Sequence, residues 1–130
     1  MRKDGSSLRI LVVDDEPLIC DMLCRFLDKN SSVMAVGSAE EALEEIRAQH
    51  CDLCFLDVTL PGMNGVEAMK IIKELSPSTK VAIMSGGHLC EDMKRQIAEG
   101  ALEFIEKPFD LSRIREIANR VAAAVTGKST

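Results

Sequence analysis

Asp14, Asp15, Asp57, Ser85 and Lys107 have the types and spacing to do chemistry together. Each follows a short strand-like run: residues 8–13 lead into Asp14-Asp15, 53–56 into Asp57, 81–84 into Ser85, and 102–106 into Lys107-Pro108. Three carboxylates that converge repel one another unless something compensates. A hard divalent cation is the simplest compensation, because Mg²⁺ takes oxygen ligands, uses few carboxylates and keeps waters for substrate oxygens. Lys107 adds a compact positive charge that can face a phosphate. A carboxylate nucleophile, a cation, an ammonium and a hydroxyl donor suit phosphoryl transfer through an aspartyl phosphate. Singly, each residue has an ordinary explanation. An acidic pair after a strand is often a solvated turn, and a lysine before proline is often plain surface. Only their joint position argues for chemistry.

The elements that must position these residues alternate along the chain. Residues 8–13 form a near-continuous apolar run, the pattern of a strand buried on both faces. Pro17 suits a first helical turn, and Leu18, Ile19, Met22, Leu23, Phe26 and Leu27 follow at helical spacing. A short strand over 33–36 precedes Ser38 and Glu41, a capping box for a helix striped by Ala42, Leu43 and Ile46. The third strand covers 53–56, and the turn at 61–65 is dense in loop formers. Val66, Met69, Ile72 and Leu75 stripe a third helix, the fourth strand covers 81–84, and a weaker helix over 91–99 stops at Gly100. A fifth strand covers 102–106, and Asp110 caps a last helix bearing Leu111, Ile114, Ile117, Ala118, Val121 and Val125. Five strands alternating with five helices imply an α/β, doubly wound parallel sheet with helices on both faces. In such sheets the chemistry lies beyond the carboxyl ends of the strands. Asp14, Asp15, Asp57, Ser85 and Lys107 all fall there, whereas the second strand ends in Gly37-Ser38 and contributes nothing.

Bulk properties agree with one domain. The chain has 130 residues, 46% hydrophobic and 28% charged, with a net charge of −5 from 21 acids against 16 bases. That balance disfavours direct nucleic-acid binding, which rests on Lys and Arg neutralising phosphates. No apolar run reaches the ~20 residues of a membrane span, and the polar start lacks a signal peptide. The expected organisation is a flexible arm over 1–7, one domain over 8–126 and a polar tail over 127–130. Five cysteines, an odd number, without a secretory signal fit reduced thiols in a cytoplasmic protein. Cys51 and Cys54 read as strand residues three apart, whose sulfurs face opposite sides. Most of the five are expected to be small buried hydrophobes. His88 reads as a solvated loop residue, and His50, near a helix end, has no chemical role.

At these residues the sequence resembles the receiver domains of two-component response regulators. The matching pieces are residues 11–17 (Leu-Val-Val-Asp-Asp-Glu-Pro), 56–65 (Leu-Asp-Val-Thr-Leu-Pro-Gly-Met-Asn-Gly), 84–86 (Met-Ser-Gly) and 107–109 (Lys-Pro-Phe). The resemblance implies a flavodoxin-like sheet of order 2-1-3-4-5, with Asp57 as phosphoacceptor. It implies Mg²⁺, replaceable by Mn²⁺, at Asp14, Asp15, Asp57 and the Thr59 backbone carbonyl, so that the Thr59 side chain matters little for metal binding. It implies Ser85 as switch hydroxyl, Lys107 as phosphate partner, and a cis peptide before Pro108. Phe104 matches an aromatic switch that is more often tyrosine, the alternative being a plain core phenylalanine. Gly87 stands where the family often has a side chain that tunes phosphate lifetime.

The implied function is a switch, not an enzyme acting on other substrates. A sensor histidine kinase or phosphotransfer protein donates the phosphoryl group. The surface of the fourth helix, fifth strand and fifth helix then signals to an effector domain or protein. Dimerisation on activation through that face is common in the family, though no residue here demands it. Two rivals fit less well. A haloacid-dehalogenase-like phosphatase needs a second acid two residues after its nucleophile, where this chain has Thr59. A flavin binder would find its phosphate repelled by residues 14–16, and the chain has no Trp or Tyr to stack on the ring. A receiver-like module that is never phosphorylated would not need the intact set of acids, hydroxyl and lysine.

Overall fold

A computed structural model describes residues 8–29, 31–60 and 62–125. The expected arm at 1–7 and tail at 127–130 lie outside the described residues. The elements are β1 (Leu8–Val13), α1 (Pro17–Leu27), β2 (Ser31–Val36), α2 (Ala39–Ala48), β3 (Leu53–Asp57), α3 (Gly65–Leu75), β4 (Lys80–Ser85), α4 (Glu91–Gly100), β5 (Glu103–Glu106) and α5 (Leu111–Val125). The strands form one parallel sheet in the order β2-β1-β3-β4-β5. Strand order therefore reverses between β1 and β3, which puts Asp14 and Asp57 on either side of the switch point.

Strand alternation divides the core into two halves. Leu11 and Val13, Cys54 and Leu56, and Val81 and Ile83 face α2, α3 and Ile97 of α4. Ile10 and Val12, Leu53 and Phe55, and Ala82 and Met84 face α1 and α5 on the other side. The three central strands bury side chains on both faces because both faces are covered by helices. β2 and β5 lie at the sheet edges and alternate between half-buried and exposed over much of their length.

Local signals start the helices. The Ser38 hydroxyl accepts from the Glu41 N–H at 3.2 Å, and Glu41 reaches back to accept from the Gly37 N–H at 3.1 Å. Asn64 performs the same cap for α3, its side chain accepting from the Glu67 N–H at 3.0 Å. The Asp110 carboxylate accepts from the Ser112 N–H at 3.0 Å at the start of α5.

Three expectations need correction. Leu18, assigned to the apolar stripe of α1, is 83% exposed; the buried residues of that helix are Leu23 and Leu27. Cys51 precedes β3 and so escapes the strand alternation. It shares one core half with Cys54 rather than pointing away from it. All five cysteines are free thiols, but only Cys51 and Cys54 are buried; Cys20 and Cys24 are half-buried and Cys90 is exposed. α4 ends at Gly100 as expected, though without a left-handed φ. A Cβ there would lie 2.8 Å from Met69 Cε, the end of a flexible side chain.

Gly65 has the closest bearing on the site. It opens α3, and its N–H donates to the Val58 carbonyl at 3.0 Å. A Cβ on Gly65 would sit 2.5 Å from Val58 Cα and 2.6 Å from the Asp57 carbonyl oxygen. Both are backbone atoms of the segment that carries Asp57, so they cannot rotate out of the way. Gly65→Ala should destabilise the fold by about 1–3 kcal/mol, as overpacking does, and lower the midpoint of thermal unfolding. Gly87→Ala is the control: a Cβ there meets nothing within 4 Å, so its melting curve should barely move.

Candidate functional site

Lys107 ties together the carboxyl edge of the sheet. Its backbone N–H donates to the Ser85 carbonyl at 2.8 Å, carrying the β4–β5 pairing one residue past β5. The side chain, only 13% exposed, runs back over the strand ends. Its ammonium donates to Asp14 Oδ2 at 2.7 Å, Glu16 Oε1 at 2.9 Å and Asp57 Oδ2 at 3.0 Å. Residues 14, 57 and 107, far apart in the chain, thus meet at one point.

The two aspartates are nearly sealed from water, Asp14 at 1% and Asp57 at 2% exposure. Asp14 is fixed by its own N–H, which donates to the Val36 carbonyl at 3.1 Å. Its Oδ1 accepts from the Glu16 N–H at 2.9 Å. Burial pushes the Asp14 carboxyl above its ordinary pKa, and the nearby Asp57 charge adds to this. The bonds from Lys107 and the Glu16 N–H only partly offset it. Burial pulls the Lys107 pKa down, but hydrogen bonds to Asp14, Glu16 and Asp57 outweigh it and hold the pKa above the ordinary lysine value. The ammonium therefore stays charged.

Thr59 makes contacts beyond those expected of it. Both its N–H (2.8 Å) and its hydroxyl (2.9 Å) donate to Asp57 Oδ1. The side chain thus orients the carboxylate, a contact that the motif alone did not suggest. Ser85 is buried, and its hydroxyl is engaged with Gly87. It donates to the Gly87 carbonyl and accepts from the Gly87 N–H, each at 3.3 Å. Phe104 is 36% exposed and lines a shallow groove with Leu89, Ile97 and Leu102. That exposure excludes the plain core phenylalanine. Beside it Glu103 accepts from Arg113 and, at 2.7 Å, from Arg120, fastening β5 to α5.

Glu16, to which the sequence assigned no role, stands at the site beside Asp14. Asp15 is exposed. Among the described residues, Asp14, Asp57 and Glu16 bring carboxylate oxygens within 4.8 Å of one another. The turn that bonds the Glu16 N–H to Asp14 Oδ1 brings Glu16 to the lysine. In the sequence Glu16 carried no signal beyond its place beside the acidic pair. His88 is exposed and takes part in none of the Lys107 hydrogen bonds of the site. His50 lies 3.2 Å from the buried carboxylate of Asp52, at the opposite end of the sheet.

Three carboxylates face one ammonium here, an excess of negative charge at one point. Oxygen donors this close suit a small hard cation. A doubly wound sheet with acids and a lysine gathered at its carboxyl edge defines a class of α/β domains built around a carboxylate. The family model for the response regulator receiver domain matches residues 10–119, and the chain belongs to that family. It is 33% identical over 116 residues to the chemotaxis protein CheY of Thermotoga maritima, covering 88% of this chain and 97% of that protein. It is 40% identical over 114 residues to the nitrogen assimilation regulatory protein NtrX of Azorhizobium caulinodans, covering 85% of this chain but 25% of that protein. A CheY-like receiver domain from Methanospirillum hungatei superposes with a TM-score of 0.81 at 28% identity, covering 89% of this chain and 97% of that one. The chain is thus a response regulator receiver domain, and the phosphatase and flavin-binding readings fall away.

The raised pKa of Asp14 has a testable sign. An acid whose pKa rises on folding favours the native state at low pH and penalises it once pH passes the folded value. In buffer free of divalent cations, Asp14→Asn should raise the thermal midpoint by a few degrees at about pH 7. That gain should shrink as pH falls into the ordinary carboxylate range. Calorimetric melts of both proteins across that range check it; an equal or lower midpoint for the variant at neutral pH contradicts it.

Proposed function

We propose that Asp57 accepts a phosphoryl group from the phosphohistidine of a sensor histidine kinase or phosphotransfer protein. A carboxylate oxygen of Asp57 attacks phosphorus, the phosphorus–nitrogen bond breaks, and its electron pair stays with the departing imidazole. The observation that carries this reading is the Lys107 ammonium held 3.0 Å from Asp57 Oδ2, beside a second buried acid. Lys107 is already placed to neutralise charge on a phosphoryl oxygen.

Asp14, Asp15, Asp57 and the Thr59 carbonyl would hold Mg²⁺, or Mn²⁺ in its place. The oxygen-only donors and the uncompensated negative charge support this. When bound, the ion supplies charge neutralisation during transfer. Thr59 orients Asp57 through two hydrogen bonds to one oxygen. Ser85 leaves Gly87 and donates its hydroxyl to the new phosphoryl group, which brings added charge and strong acceptors. Phe104 then turns inward from its exposed position. The phosphoryl group biases a two-state equilibrium of the α4–β5–α5 surface and need not create a new shape.

An effector domain or partner protein reads that surface, with dimerisation of receivers as one outcome. The chain spans a quarter of the NtrX relative's length, so its own output belongs to this proposal too. Chemistry is confined to the domain's own phosphorylation and dephosphorylation, and direct nucleic-acid binding is not part of it. Action in the cytoplasm fits a chain in which no helix among the described residues is long and apolar enough to cross a membrane.

The test is incubation with acetyl phosphate and Mg²⁺, followed by intact-protein mass spectrometry. The wild type should gain one phosphoryl mass, and Asp57→Asn should gain none. An unchanged gain in the variant refutes Asp57 as acceptor. Chelating the divalent cation should suppress labelling of the wild type by an order of magnitude or more.

A further inference from the structure

An ammonium has three donors, and all three of Lys107's are taken: Asp14, Glu16 and Asp57 each accept one at 3.0 Å or less. To bind a phosphoryl oxygen, Lys107 must give up one of these acceptors. The choice is decided by burial. Asp14 is 1% exposed and Asp57, which would carry the phosphoryl group, is 2% exposed. Leaving a buried carboxylate without its counter-charge is strongly unfavourable. The Glu16 side chain is 60% exposed. It can return to water at little cost, since exposed ion pairs contribute little.

The backbone keeps Glu16 within reach of the lysine. Its N–H is bound to Asp14 Oδ1, and its carbonyl accepts from the Ile19 and Cys20 N–H groups at the start of α1. Only the side chain has freedom to swing. If it stayed, its negative charge would also repel the incoming phosphoryl oxygens.

We propose that Glu16 is a positioning residue that occupies Lys107 in the unmodified protein and must release it before the phosphoryl group can be held. Glu16 thereby stabilises the resting site and weakens retention of the phosphoryl group. This inference rests on Asp57 being the acceptor.

Beryllofluoride, a mimic of the phosphoryl group, is the probe. Its affinity is measured by calorimetry at saturating Mg²⁺ for the wild type, Glu16→Gln and Glu16→Asp. Saturation removes any difference in metal affinity from the comparison. Glutamine has the length of glutamate without the charge, whereas aspartate keeps the charge but is too short to hold the same contact. Both variants should bind beryllofluoride roughly two- to fivefold more tightly, the range that an exposed ion pair allows. Both keep the backbone bonds of residue 16, so thermal melts in metal-free buffer should stay close to the wild type. Wild-type affinity in both variants overturns the proposal, as does a gain confined to Glu16→Gln, which would show that charge matters and contact does not. If the wild type binds no beryllofluoride and takes no phosphoryl group from acetyl phosphate, the acceptor assignment fails and this inference with it. Labelling at Asp57 with indifferent Glu16 variants sinks this inference alone.

Discussion

Two carboxylates almost out of water cannot lie side by side without a positive charge between them. That constraint organises the molecule. Asp14 and Asp57 come from strands flanking the point where strand order reverses, and Lys107 follows the edge strand two places away from β3. The sheet must be continuous from β1 to β5 for the ammonium to reach both acids. Helix-covered faces and apolar central strands serve that end as much as they serve stability. Even so, one lysine does not balance three acids. The site stays electronegative, which suits it to collect a cation and then a phosphoryl group.

The fold was legible because its signals are local and repeated. Continuous apolar runs marked β1, β3 and β4 as strands covered on both faces, and capping residues marked the start of α2 and α5. The elements fell where residue types placed them, with some ends moved by one or two residues, as at β2, α4 and β5. The failures share one cause: periodicity says that a residue is apolar, not what covers it. Leu18 fits the helical repeat of α1 but sits in its first turn, where the side chain meets solvent. Cys51 looked like a strand residue because Leu53 and Phe55 follow it, yet the chain has not entered the sheet at that point.

The site was legible at the level of the strand ends. Asp14, Asp57 and Lys107 were readable because topology alone brings strand ends together. Side-chain direction was not. Nothing in a run of Asp-Asp-Glu tells which carboxylate turns inward, because that depends on one bond between the Glu16 backbone and Asp14. The Thr59 hydroxyl was hidden for the same reason. Its motif position suggested only a backbone carbonyl, whereas the turn after β3 folds the side chain onto Asp57 as well.

The close approach of Gly65 to the backbone of Asp57 and Val58 divides the site into two parts with different evolutionary freedom. The underside of the acceptor is backbone pressed against backbone, so it tolerates almost no change of shape. The rim is made of side chains with solvent on one flank: Glu16, Thr59, and the bare position at Gly87. Substitutions there alter what touches the reacting group without disturbing the foundation. A rim substitution can therefore change what surrounds the Asp57 carboxylate while the backbone beneath it stays in register.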